Sequence, residues 1–273
     1  MSAPHDAPPG VWADPAEPPA WRVVASRLGT LCLFEARRLS HDRAELYTRM
    51  VQPVLWLLVF GVTMDRTGAI PTGDVPYLDF LAPGILAQSA LFVSIFFGIQ
   101  IIWERDSGVL AKLMVTPTPR SALIAGKAFA AGLRALAQVV AMLVLALLLG
   151  IGLSSNPLDL LAAAMFVVLG AGFFACLSMT IAGLVRRRDQ LMGFGQMITM
   201  PLFFASNALY PVDVMPWWLN ALHVVNPLSY EVDALRGLLI GTPCHLALDA
   251  AVSVVALVLG IVAASALLPR LAR

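Results

Sequence analysis

The stretch Trp103–Lys127, WERDSGVLAKLMVTPTPRSALIAGK, decides how this chain is folded. It is charged, and it lies between two runs that are not: Phe80 to Ile102 before it and Ala135 to Leu158 after it. About 20 consecutive apolar residues are enough to cross a bilayer as a helix, so the stretch joins two membrane spans. It carries Arg105, Lys112, Arg120 and Lys127, and loops rich in Lys and Arg stay on the cytoplasmic side. Val109, Leu110, Leu113 and Met114 share one helical face with Lys112 opposite. Pro117 and Pro119 then stop that helix. Two readings fit: a short amphipathic helix that carries force between the membrane and a cytoplasmic partner, or a plain connecting loop resting on lipid headgroups.

Composition agrees with the membrane assignment. Of 273 residues, 59% are hydrophobic and 13% are charged, against about 25% charged in a soluble domain; the mean hydropathy is +0.81. A net charge of +1 gives no basic face for nucleic acid. Cys32, Cys176 and Cys244 have neither disulfide-framework nor metal-ligand spacing.

Working outward, residues 1–20 hold prolines at 4, 8, 9, 15, 18 and 19 and read as a disordered tail without the basic and apolar regions of a signal peptide. Residues 21–42 set Trp21, Val24, Leu28, Leu31 and Phe34 at helical steps, with Arg22, Arg27, Arg37 and Arg38 as the basic complement. That pattern suits a helix lying in the membrane interface, or an amphipathic helix packed on protein. Spans are expected at about 47–64, 77–103, 128–149, 160–185, 190–209 and 250–268, with the charged loop at 104–127. Pro201 is expected to kink the fifth span. Arg134, near the inner end of the third, is expected to snorkel or to pair with Glu104 or Asp106. Six spans put both termini inside. Sixteen of the 18 Lys and Arg then face the cytoplasm, and Arg66 and Arg236 face out. The 17 acidic residues divide nine to eight, as expected of a rule that concerns Lys and Arg rather than net charge.

Residues 210–247 are too broken by Pro211, Pro216 and Pro227 to span. Trp217 to Val225 reads as one short helix, Asn226-Pro227 as a break, and Ser229 to Ile240 as a second helix closed by Gly241. Irregular backbone at membrane depth must be covered by protein or water. The segment is therefore either a hairpin at the outer mouth of a pathway or a surface loop anchored by aromatics.

Several chemistries are missing from the sequence. Gly126-Lys127 is followed by Ala128 and preceded at 121 by Ser, so it is no phosphate loop. There is no His-Glu-x-x-His and no Gly-x-Ser-x-Gly. No expected span has an acid at its centre, the place where ion-coupled carriers keep a relay group. An enzyme or a channel would require a catalytic cluster or a charged pore ring, and the sequence has neither. Energy for uphill movement then comes from another subunit.

Two motifs carry a family resemblance over about residues 21–270. Glu104-Arg105-Asp106-Ser107-Gly108-Val109-Leu110, followed by Thr116-Pro117, Arg120 and Gly126-Lys127, resembles the cytoplasmic loop of type-2 ABC exporter permeases. Asn226-Pro227-Leu228-Ser229-Tyr230 with Asp233-Ala234-Leu235-Arg236 and Gly241 resembles their segment before the last span. The pattern looks like the bacterial drug-resistance permeases of the daunorubicin type; permeases for lipo-oligosaccharide and polysaccharide export are similar. The resemblance implies an all-α membrane domain over 21–273 with an inner-leaflet connecting helix at 21–42, a coupling helix in the 104–127 loop and a re-entrant pair over 210–247. It further implies a multi-pass protein of the bacterial cell membrane, paired with a second permease copy and worked by two separate ATPase subunits. Those subunits, not this chain, would bind ATP and Mg. The cargo would be a hydrophobic drug or lipid-like compound, or alternatively a lipid-linked glycan or polysaccharide.

On that footing the ATPase-coupling residues are Glu104, Arg105, Asp106, Gly108, Lys112, Thr116, Pro117 and Arg120. Gly108 gives the tight turn and the charges meet the ATPase. The pathway candidates are Gln88, Ser94, Gln100, Gln196, Thr199, Phe203, Phe204 and Asn207, because an amphiphilic cargo suits an apolar wall with a few hydrogen-bonding groups. The other reading for each is helix–helix packing. The outer gate takes in Tyr210, Pro211, Trp217, Trp218, Asn226 and Pro227.

Overall fold

The computed structural model describes residues 51–73, 75–115, 119–185 and 188–271. The expected tail at 1–20, the helix at 21–42, the start of the first span, Thr116 and Pro117 fall outside them. Among the described residues every regular element is helical. Residues 51–55 are α-helical and run into a π turn, Trp56–Gly61, then α1, Val62–Thr67. There follow α2, Tyr77–Asp106; α3, Val109–Val115; α4, Arg120–Leu149; α5, Pro157–Leu184; and α6, Arg188–Phe204. A single 3-10 turn, Val212–Val214, leads to α7, Trp217–Val225, then α8, Pro227–Ile240, and α9, Leu246–Leu271.

Four of these helices are long and apolar enough to cross a membrane: α2, α4, α5 and the Leu246–Arg270 part of α9. They match the spans expected at 77–103, 128–149, 160–185 and 250–268. The other two expected spans are not among those four. The first is described only from residue 51. The fifth, α6, has 17 residues and stops at Phe204, not at 209. The charged stretch is less of a loop than its composition suggests, because α2 continues to Asp106 and α4 already starts at Arg120.

The packing centres on α5, which touches α9, α2, α4 and α8. Small residues allow this. A Cβ placed on Gly98 of α2 would overlap Ser178 of α5, and one on Gly132 of α4 would overlap Val168 of α5. Ser178 also donates its hydroxyl to the Ile95 carbonyl at 2.7 Å. Lipid tails are as apolar as leucine, so close backbone approach and interhelical hydrogen bonds supply much of the association between spans. The outward faces of α4 and α9 are apolar, with Val140, Val144, Leu147, Leu148, Val255, Leu259 and Val262 exposed.

The helix ends follow local rules. Asn156 caps α5 by accepting the Leu158 N–H at 3.2 Å, with Pro157 in the first turn where its missing N–H costs nothing. Asn226 and Pro227 repeat the arrangement at α8, whose far end closes on Gly241 at φ +72°.

Candidate functional site

A cavity of about 390 Å³ lies between the first described helical residues and α2. Gln52, Gln88, Ser89 and Gln100 supply its polar wall, and Phe92, Phe96 and Trp103 its aromatic one. None of its lining residues carries a charge. Gln88, Phe92, Phe96, Gln100 and Trp103 are spaced along α2 by helical steps of three and four, which brings them to one face. Apolar walls with a few fixed hydrogen-bonding groups are the usual make-up of a small-molecule site.

The pathway residues read from sequence divide. Gln88 and Gln100 line the cavity. Ser94 and Thr199 are buried and turn their hydroxyls back to the carbonyls of Ala90 and Gly195, four residues earlier, at 2.6 and 2.5 Å. Phe203 is fully buried edge-on against Trp56, with ring centres 5.7 Å apart, and ties α6 to the π turn. Phe204 and Gln196 are exposed. Asn207 belongs to the joint described next.

The chain between α6 and α7 breaks at residues 205–211, and side chains take up the carbonyls that the break leaves free. Arg236 of α8 is 5% exposed. Its Nη2 donates to the carbonyls of Asn207 at 2.6 Å and Ala208 at 3.1 Å, and its Nε to Phe80 of α2 at 3.2 Å. The Tyr77 hydroxyl donates to the Leu209 carbonyl at 2.9 Å, Asn226 Nδ2 to Leu202 at 2.6 Å, and Tyr210 to Phe204. The Asn207 amide donates to the Asp233 carboxylate. Gly84 of α2 lies so close beneath Ala208 that a Cβ there would overlap its backbone. Of the outer-gate residues read from sequence, Tyr210 and Asn226 belong to this joint. Pro211 caps the 3-10 turn and Pro227 opens α8. Trp217 and Trp218 are exposed on α7. Burial, with a smaller contribution from Arg236, holds the His223 imidazole on α7 below its ordinary pKa, and Asp233 opposes the shift.

Glu231 stands in the Asn226–Arg236 stretch without any spacing that singles it out as a site residue. It is 1% exposed, and its carboxyl rests on Gly170 at the midpoint of α5, where a Cβ would overlap it. One of its oxygens has no hydrogen-bond partner. The spans have no acid at their centres, yet α8 brings one there. No span-by-span reading could find it, because α8 is not a span.

At the far end of α2 from that joint, Lys127 of α4 donates to both carboxylate oxygens of Glu104, at 2.6 and 2.5 Å. Arg105 pairs with its neighbour Asp106 at 3.0 Å. Arg134, expected to snorkel or to pair with Glu104 or Asp106, is buried with its guanidinium 4.5 Å from the Phe97 ring instead of snorkelling. Gly108 has φ +72°, a conformation a side chain would strain. Lys112 and Arg120 are exposed. Among the described residues no group of His, Cys, Asp and Glu is placed to hold a metal ion.

Comparison with known proteins gives this architecture its place. The ABC-2 type transporter family model matches residues 27–240. The chain is 31% identical over 193 residues to the putative transport permease ycf38 of Cyanophora paradoxa, covering 70% of this chain and 66% of that protein, just under two thirds of its length. It is 27% identical over 204 residues to the daunorubicin resistance ABC transporter permease protein DrrB1 of Streptomyces coeruleorubidus, covering 74% of this chain and 71% of that one. It is 27% identical over 203 residues to nodulation protein J of Rhizobium leguminosarum bv. trifolii, covering 73% and 76%. With most of its length matched and its long apolar helices in place, the chain belongs to the ABC-2 type transporter family.

Proposed function

We propose that this chain is the transmembrane permease subunit of an ATP-driven exporter that moves a hydrophobic drug or lipid-like compound out of the cytoplasm. The observation that carries the reading is the uncharged cavity of about 390 Å³ on α2, with glutamines and aromatics in its wall. An amphiphile gives up little there and gains a few oriented hydrogen bonds. The drug-resistance permeases among the relatives support the same class of cargo.

In this reading six spans cross the cell membrane with both termini inside, and α7 and α8 form a re-entrant hairpin near the outer gate. The domain runs from 21 to 273, with its interface helix at 21–42. Two separate ATPase subunits bind ATP and Mg and act on the 104–127 segment through Arg105, Lys112 and Arg120, and two permease copies flank the pathway. The test is export from vesicles that hold the permease with and without its ATPase. ATP-dependent movement of a hydrophobic amine or of a fluorescent lipid is expected only with both. Equal movement without the ATPase removes the proposal, and movement of a lipid-linked glycan alone changes the cargo.

A further inference from the structure

The Lys127–Glu104 pair joins two different helices at the base of one short element. Glu104 lies in the last turn of α2, and Lys127 about two turns into α4. Their side chains are 31% and 15% exposed, respectively, so solvent and salt screen the pair less than a fully exposed one. Along the chain between them come Gly108, α3 and the start of α4.

α3 meets the rest of the chain through Leu110 and through its packing on α2. Leu110 is fully buried in the same core cluster as Ile124 of α4, but Val109, Ala111 and Lys112 are exposed. Gly108, with φ +72° and nothing within 4 Å of where a Cβ would stand, is the turn that joins α2 to α3. α3 lies in the chain between the ends of α2 and α4, and the ion pair bridges those ends. The neighbouring Arg105 is turned to Asp106 and does not join the pair.

We propose that Glu104 and Lys127 form a positioning strut that makes α3 a rigid lever, so that a push on α3 moves α2 and α4 together. With the strut broken, α3 swings about Gly108 and the push is lost before it reaches the membrane. The proposal rests on the reading that an ATPase acts on this segment, and it assigns Glu104 to the chain's own framework instead of the ATPase contact.

The test uses the full permease with its ATPase in proteoliposomes. The variants are Glu104→Gln, Lys127→Gln, and the charge exchange Glu104→Lys with Lys127→Glu. Each single variant is expected to export about tenfold less cargo per ATP hydrolysed while retaining the ATPase on purification, and the exchange to return to within about twofold of wild type. Single variants with the wild-type ratio, or an exchange no better than the singles, overturn the strut. A second measurement does not depend on transport. Nitroxide labels at Ala111→Cys and Phe129→Cys, in a chain with Cys32, Cys176 and Cys244 changed to Ser, should show a broadened distance distribution in the singles and a narrow one in the exchange. If the wild type shows no ATP-dependent export at all, the exporter reading falls by itself, and an unchanged label distribution in the singles overturns the strut.

Discussion

The guanidinium of Arg236 lies 3.5 Å from the centre of the Phe80 ring while its nitrogens hold the carbonyls of Phe80, Asn207 and Ala208. One side chain of α8 thus binds α2 and the broken end of α6 into a single joint. Charge-assisted hydrogen bonds are about twice as strong as neutral ones, and a cation over an aromatic face adds about 1–2 kcal/mol when desolvated. Arg236→Ala should leave carbonyls unpaired at membrane depth and cost about 3 kcal/mol or more. Arg236→Lys, which keeps the charge but not the fork, should recover part of that. Thermal unfolding in detergent orders the three proteins, and an Ala variant as stable as wild type would show that the joint is unimportant.

Gly170 and Glu231 occupy one space. Gly170→Ala should therefore push the carboxyl aside and cost about 1–3 kcal/mol by overpacking, despite the gain in helix propensity. In a chain that also carries Glu231→Ala the same change should be nearly free. A double-mutant cycle measures this coupling, and additive effects would mean the two do not share the site.

Asn226 does two things at once. Its Oδ1 caps α8 and its Nδ2 donates to Leu202 at the end of α6. Asn226→Ala should cost about 1–2 kcal/mol from the lost cap alone. Asn226→Asp keeps the cap acceptor but sets a carboxylate against the Leu202 carbonyl, so it too should lose stability, by about 1 kcal/mol. Comparing the two in chemical unfolding separates the cap from the tie to α6.

Gln88 and Gln100 line the cavity on α2. Replacing either with Leu should raise the cargo concentration for half-maximal export about two- to tenfold, the loss of one neutral hydrogen bond. The unstimulated ATPase rate should not change. Ser94→Ala, outside the cavity lining and bonded within its own helix, should leave the half-maximal concentration where it is.

The parts of the fold that follow from local chemistry could be read in the sequence. The uncharged run from Phe80 to Ile102 marks α2. Pro216, Asn226-Pro227 and Gly241 bound α7 and α8 within a residue or two. What escaped reading depends on contacts between distant residues. Arg236 counts as an outside charge in a tally along the chain, yet 156 residues separate it from the Phe80 carbonyl it binds. Lys127 looks like one more cytoplasmic positive charge until α4 is seen to start at Arg120 and carry it back beside Glu104. Ser94 and Thr199 have the right residue type for a pathway, but only the helix geometry shows their hydroxyls turned back on their own turns.

The seam between α2 and α5 sets where this protein can bend. At Gly98 and Ser178 the two backbones stand a single side-chain atom apart, pinned by the hydroxyl on Ile95. Such a seam cannot slip: the next register along would drive a full side chain into the place of a hydrogen. Packing this close holds the two helices as one rigid unit, so bending falls to other parts of the fold.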